Sequence, residues 1–135
     1  MEDTTRNDDG ARPLNDVEKL LLDARDGRAP LADMLGALVS ADLYVPSTGE
    51  VMQDGSGFTP LLFDSAETGA TLTAVFTDPA RAAAQAGRAK YLLQVNGREL
   101  LRRLPPGYGI VINPGHDVGM EIQPYGVEAI VRDFT

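Results

Sequence analysis

Thr71-Leu-Thr-Ala-Val-Phe-Thr77, followed at once by Asp78-Pro79, reads as a strand running straight into a helix. Its β-branched and aromatic residues favour an extended chain. Asp78 is suited to cap a helix and Pro79 to occupy the first helical position. The plan recurs later: Gly109-Ile-Val-Ile112 is a central apolar strand, broken by Asn113-Pro114-Gly115 and followed by His116-Asp117. Loops leaving strand ends are where open sheets place ligand crevices. If the two strands are neighbours, Thr77, Asp78, Asn113, Pro114, Gly115, His116 and Asp117 line one rim, and these are the candidate ligand-binding residues. Cap and turn chemistry alone also accounts for every residue type in this set.

Working outward, Asn15 or Asp16 caps a first helix with Glu18 placed as in a capping box, an apolar stripe of Val17, Leu20, Leu21 and Ala24, and Gly27 as the stop. Pro30 opens a second helix with Leu31, Met34, Leu35 and Leu38 inward. Leu43-Tyr-Val45 is a short strand closed by Pro46, and Ser47 to Gly57 is a loop with room for a short strand at Glu50–Gln53. Pro60–Asp64 pairs with Thr71–Thr77 as a hairpin. Tyr91–Val95 is a strand, Gly97–Leu104 a helix ended by Pro105-Pro106-Gly107, Gly119–Ile122 an edge strand, and Pro124 starts a last helix with Val127, Ile130, Val131 and Phe134 inward. The order implies an α+β fold: one mixed, partly antiparallel sheet of about five to six strands, flanked by helices, with an N-terminal helical pair. Residues 1–13 lack hydrophobic periodicity and are expected to be a disordered acidic segment, leaving 14–135 as a single domain.

With 43% apolar residues in 135, the chain supports an ordinary hydrophobic core. It contains no cysteine, which removes disulfides, thiolate metal sites and cysteine nucleophiles. The polar, acidic first ten residues do not resemble a secretory signal, and no apolar run approaches the roughly 18 residues of a membrane helix; the expected location is the cytoplasm, away from any membrane. A net charge of −8 disfavours nucleic acid. The charge is also unevenly spread. Between Ala29 and Ala80 there is no Lys or Arg, against seven acidic residues; from Arg81 to Arg103 there are six cations against Glu99. Such a split steers a basic partner or sets up self-contact, unless folding interleaves the two blocks and cancels them, which is the expectation for so small a domain.

His116 is the only histidine, and no HExxH or other metal spacing accompanies it, so neither a metal nor a cofactor is expected. The nucleophile elbow and both glycine-rich nucleotide signatures are missing. Asp54-Gly-Ser-Gly57 has a phosphate-friendly composition but no helix after it, and Arg98, Arg102 and Arg103 read as a solvated helix face. No catalytic residue is assigned on these grounds.

Several segments together resemble the SseB family, specifically its N-terminal domain. They are Leu20 to Gly27 with the helix after it, Leu43-Tyr-Val-Pro46, Leu72-Thr-Ala-Val-Phe-Thr-Asp78, Gly97-Arg-Glu-Leu-Leu101, Ile112-Asn-Pro-Gly115 and Pro124-Tyr-Gly-Val-Glu-Ala-Ile130. Each is short; their order and spacing carry the likeness, over about residues 15–134. The family is known by a name that refers to enhanced serine sensitivity, and the resemblance implies no catalytic residues. Longer members carry a second domain after this one. The expected function is a non-catalytic protein-interaction or regulatory module with a protein partner or a homo-oligomeric state. The alternatives are a small ligand-binding domain or enzyme at the Asn113–His116 loop, and an accessory or immunity-type protein of a secretion or toxin system, where an acidic domain neutralises a basic partner.

Overall fold

A computed structural model describes residues 12–134. The elements run α1 (Asp16–Arg25), α2 (Leu31–Ser40), β1 (Asp42–Ser47), β2 (Leu62–Asp64), β3 (Thr71–Val75), α3 (Pro79–Ala82, continued by a 3-10 turn Ala83–Gln85), β4 (Tyr91–Asn96), α4 (Gly97–Arg103), β5 (Gly109–Ile112), β6 (Met120–Ile122) and α5 (Pro124–Phe134). The chain therefore has the mixed α+β build and the paired N-terminal helices that its patterning implies. The expected acidic segment 1–13 lies almost wholly outside the described residues.

Four strands form a mixed sheet in the order β2-β3-β5-β6, antiparallel at both ends and parallel between β3 and β5. The other two form an antiparallel ribbon, β1 with β4. The ribbon is hitched to the sheet by a bridge in which Tyr44 and Phe76 exchange both backbone hydrogen bonds, at 2.9 and 2.8 Å. β1 continues through Pro46 to Ser47, beyond the expected stop. Pro46 stands opposite Leu92, and the missing N–H would in any case have faced away from β4. The segment Glu50–Gln53 forms no strand.

Alternation along β3 and β5 gives the sheet two buried faces. Val75, Ile110 and Ile112 join α1, α2, α4 and α5 in the larger core, where Leu21, Met34, Leu38 and Leu43 are fully buried. Ala74 and Phe76 point the other way, into a smaller cluster with Leu61, Ala82 and Ala89. Local signals set two helix starts as expected, Asn15 and Asp78 each accepting a backbone N–H of the helix they precede, and Asn96 caps α4 in the same way. Pro30 is the residue before α2 rather than its first, and Leu31 of the expected stripe is 54% exposed, its place taken by Val39. Among the described residues no helix is long and apolar enough to cross a membrane.

Candidate functional site

Because β3 and β5 are parallel neighbours with Val75 opposite Ile112, their ends emerge side by side. The N–H of Asn113 donates to the Val75 carbonyl at 2.8 Å, extending the ladder by one residue before the chain turns. Asn113 takes a positive φ of 54°, a conformation that Asn tolerates better than most residues. Its side chain is completely buried and doubly used: Oδ1 accepts from the Thr77 N–H at 3.1 Å, while Nδ2 donates to the Thr77 hydroxyl and to the Val118 carbonyl, both at 2.8 Å.

Thr77 passes the chain of bonds on to a residue that the sequence reading assigned to a different task. Its hydroxyl donates to Glu18 Oε2 at 2.6 Å, and Glu18 is fully buried. Arg81, on α3, donates to both carboxylate oxygens, Nε at 3.1 Å and Nη2 at 2.8 Å, and the Leu14 N–H supplies the fourth bond at 2.8 Å. Arg81 Nη2 also donates to the Arg12 carbonyl. Only half of the expected capping box forms: Asn15 accepts from the Glu18 N–H, but the Glu18 carboxylate turns inward instead of back to Asn15. Asn15 Nδ2 donates to the Thr77 carbonyl at 2.9 Å, so α1 is clamped to the exit of β3. The available signal was position. Glu18 stands three and four residues before Leu21 and Leu22, on the helix face that is buried.

Burial by itself would raise the pKa of Glu18. The bonds from Arg81, the Thr77 hydroxyl and the Leu14 N–H, with the charge of Arg81, outweigh it and hold the carboxyl below its ordinary value. All four lone-pair positions of this carboxylate are taken, which leaves none to accept a substrate proton.

The rest of the predicted rim is arranged around this network. Asp78 is partly buried and accepts from the Ala80 N–H as a cap. Pro114 and exposed Gly115, at φ 88°, make the turn. His116 is partly buried; its Nε2 lies 2.8 Å from the Arg81 carbonyl and its ring meets Phe76 edge-on. With a carbonyl as partner, that nitrogen carries the proton. The Asp117 side chain is exposed, and its carbonyl accepts from Arg25. The seven residues thus lie in one neighbourhood, with their polar atoms turned largely to one another and to α1 and α3. No buried side-chain nitrogen or oxygen among the described residues lacks a partner. Nor do three His, Asp or Glu side chains among them converge to hold a metal ion.

Open space lies elsewhere. A cleft of about 900 Å³ opens on the helix-bearing side of the sheet, beside β2. Leu62 and its cross-strand partner Thr73 form its floor. Leu93 to Asn96 of β4, with α4 and Leu104, make one wall, and the loop carrying Met52, Asp54 and Phe58 makes the other. The loop is held shut on itself by close backbone packing: Gly57 has a φ of 85°, and a Cβ there would come within 2.0 Å of the Glu50 carbonyl oxygen. Cleft residues escaped the sequence reading because they come from five separate segments, each of which alone reads as ordinary strand, helix or loop.

The two charge blocks do not cancel by ion pairing. Among the described residues none of the acidic side chains between Ala29 and Ala80 is in an ion pair, whereas Arg81 is bound to Glu18, and Arg102 and Arg103 to Glu99. These three cations of the second block find their acids outside the first.

A family model described as the SseB protein N-terminal domain matches residues 17–129. No curated protein and no solved structure matches the chain.

Proposed function

The chain belongs to the SseB family through its N-terminal domain, and we propose from this and the site geometry that it is a protein-interaction module that binds its partner in the cleft beside β2. One observation carries the reading. The polar groups at the strand exits are engaged with one another, while the cleft is walled by Leu62, Leu93, Leu104 and Phe58 and stands open. An apolar concavity rimmed by a few polar groups is the ordinary form of a binding site. The acidic residues that form no ion pair among the described residues favour a basic protein over a nucleic acid or an anionic surface. Non-catalytic action fits the saturation of the Glu18 carboxylate.

Photocrosslinking separates this from a rim-centred ligand site. A photoreactive residue at Met52, in the cleft, is expected to capture one defined protein in cells, and the same group at His116 is not. Capture from position 116 alone would move the site back to the strand exits.

A further inference from the structure

Among the described residues the outer edge of β4 is unpartnered, and the ladder on its inner side shows which groups it offers. Tyr44 gives both its N–H and its carbonyl to Phe76, and the Pro46 carbonyl accepts from Leu61 at 3.4 Å. The even-numbered residues of β1 therefore face away from β4. Opposite them stand Gln94 and Leu92, which must be the non-hydrogen-bonded pairs of the ladder, with their own N–H and carbonyl groups directed outward. Both are exposed, Leu92 by 45%, and among the described residues β1 is the only strand that β4 pairs with. Natural edges are blunted by proline, inward charges or bulges. Tyr91 to Asn96 contains none of these, and only Lys90 guards its start.

The cleft borders the same strand: Leu93, Gln94, Val95 and Asn96 all line it. We infer that β4 takes an extended, basic peptide segment of a protein partner as an added strand at the rim of the cleft, its alternate apolar side chains beside Leu93 and turned towards the cleft. This rests on the cleft-binding reading above and adds the backbone pairing and the chemistry of the partner. Strand addition draws affinity from main-chain bonds and specificity from pockets for every second side chain.

The charge of the partner follows from the walls. Asp54 lines the loop wall, Glu50 adjoins it, and Asp42 sits behind Gln94, whose amide it accepts at 2.9 Å. None of the three is in an ion pair among the described residues, and the cation lining the cleft, Arg103, is bound to Glu99. The Ser56 hydroxyl and N–H hold the Asp54 carboxyl below its usual range, so it is charged at neutral pH. Lys or Arg beside the apolar residues of the incoming strand completes these carboxylates.

A phage-displayed library of random nine-residue peptides supplies the probe, screened against the full chain and three variants. Enriched sequences should alternate apolar residues with Lys or Arg. They should bind wild type and His116→Ala alike, and lose about tenfold with Gln94→Pro, which removes one outward N–H while the bonds to β1 made by Leu93 and Val95 remain. Methylating alternate backbone nitrogens of the peptide should cost as much, and this arm does not depend on the proline variant folding. If Met52→Asp abolishes binding but Gln94→Pro and peptide methylation do not, strand pairing is overturned and cleft binding stands. Peptides that bind Met52→Asp as well as wild type overturn both. Enrichment of acidic or non-alternating sequences overturns the proposed partner, as does a dimer of the chain that Gln94→Pro dissolves, which would put a second copy on the edge.

Discussion

The strand-exit network and the cleft are both bounded by the mixed sheet, yet they are opposites in physical character. At the exits, polar side chains are buried and saturated: Glu18 accepts four hydrogen bonds, and Asn113 uses both ends of its amide. In the cleft, apolar side chains are open, as at Met52 and Leu62. Buried polar groups that satisfy one another hold a particular packing arrangement together, because each lost partner leaves a desolvated group behind. Open apolar surface does the reverse. It contributes little to the fold and waits for something to cover it. A cluster of polar residue types at strand ends is therefore not by itself a binding site; whether its lone pairs and protons are free decides.

The largest effect should come from breaking the buried ion pair. Glu18→Ala or Arg81→Ala is expected to cost about 3–5 kcal/mol, because the surviving charge stays buried without its partner. Chemical denaturation reads this as a lowered midpoint. The double change Glu18→Leu with Arg81→Met should recover most of the loss; a double variant as unstable as the singles would mean that the network does more than neutralise itself.

Acid should attack the same place. The Glu18 pKa is depressed on folding, so its stabilisation is fully present above the unfolded value, near the ordinary 4.5, and disappears as pH falls through the lower folded value. Denaturation midpoints followed from neutral pH down to pH ~3 should fall more steeply in wild type than in Glu18→Gln, which cannot ionise. Parallel profiles would locate the acid sensitivity elsewhere.

A smaller loss is expected from Asn113→Ala, about 1–3 kcal/mol for the orphaned Thr77 N–H and Val118 carbonyl. Met52→Asp is at the other end of the comparison: a stability change within about 0.5 kcal/mol, since Met52 is half exposed, together with loss of peptide binding. His116→Ala should be the mildest at the exits, about 1 kcal/mol in stability with binding unchanged. Should His116→Ala abolish binding and Met52→Asp spare it, the two regions would exchange roles.

Much of the frame was legible in the residues. Asn15, Asp78 and Pro79 mark helix starts by local chemistry alone, and the apolar runs Thr71–Val75 and Gly109–Ile112 mark the central strands. These signals act within a few residues, so they survive in a one-dimensional reading. Glu18 shows where such reading stops: the local capping rule explained it adequately, and its true partners stand 59 and 63 positions away.

By itself, then, the sequence determined the element types, their caps, the net acidity and the family, because each depends on neighbours along the chain or on composition. Tertiary structure alone decided that β3 and β5 lie side by side, that Glu18 meets Arg81 under α1, and that among the described residues β4 keeps a bare edge beside an apolar cleft. Those facts are set by pairing between distant segments, and no local spacing encodes which lone pairs such pairing will leave free.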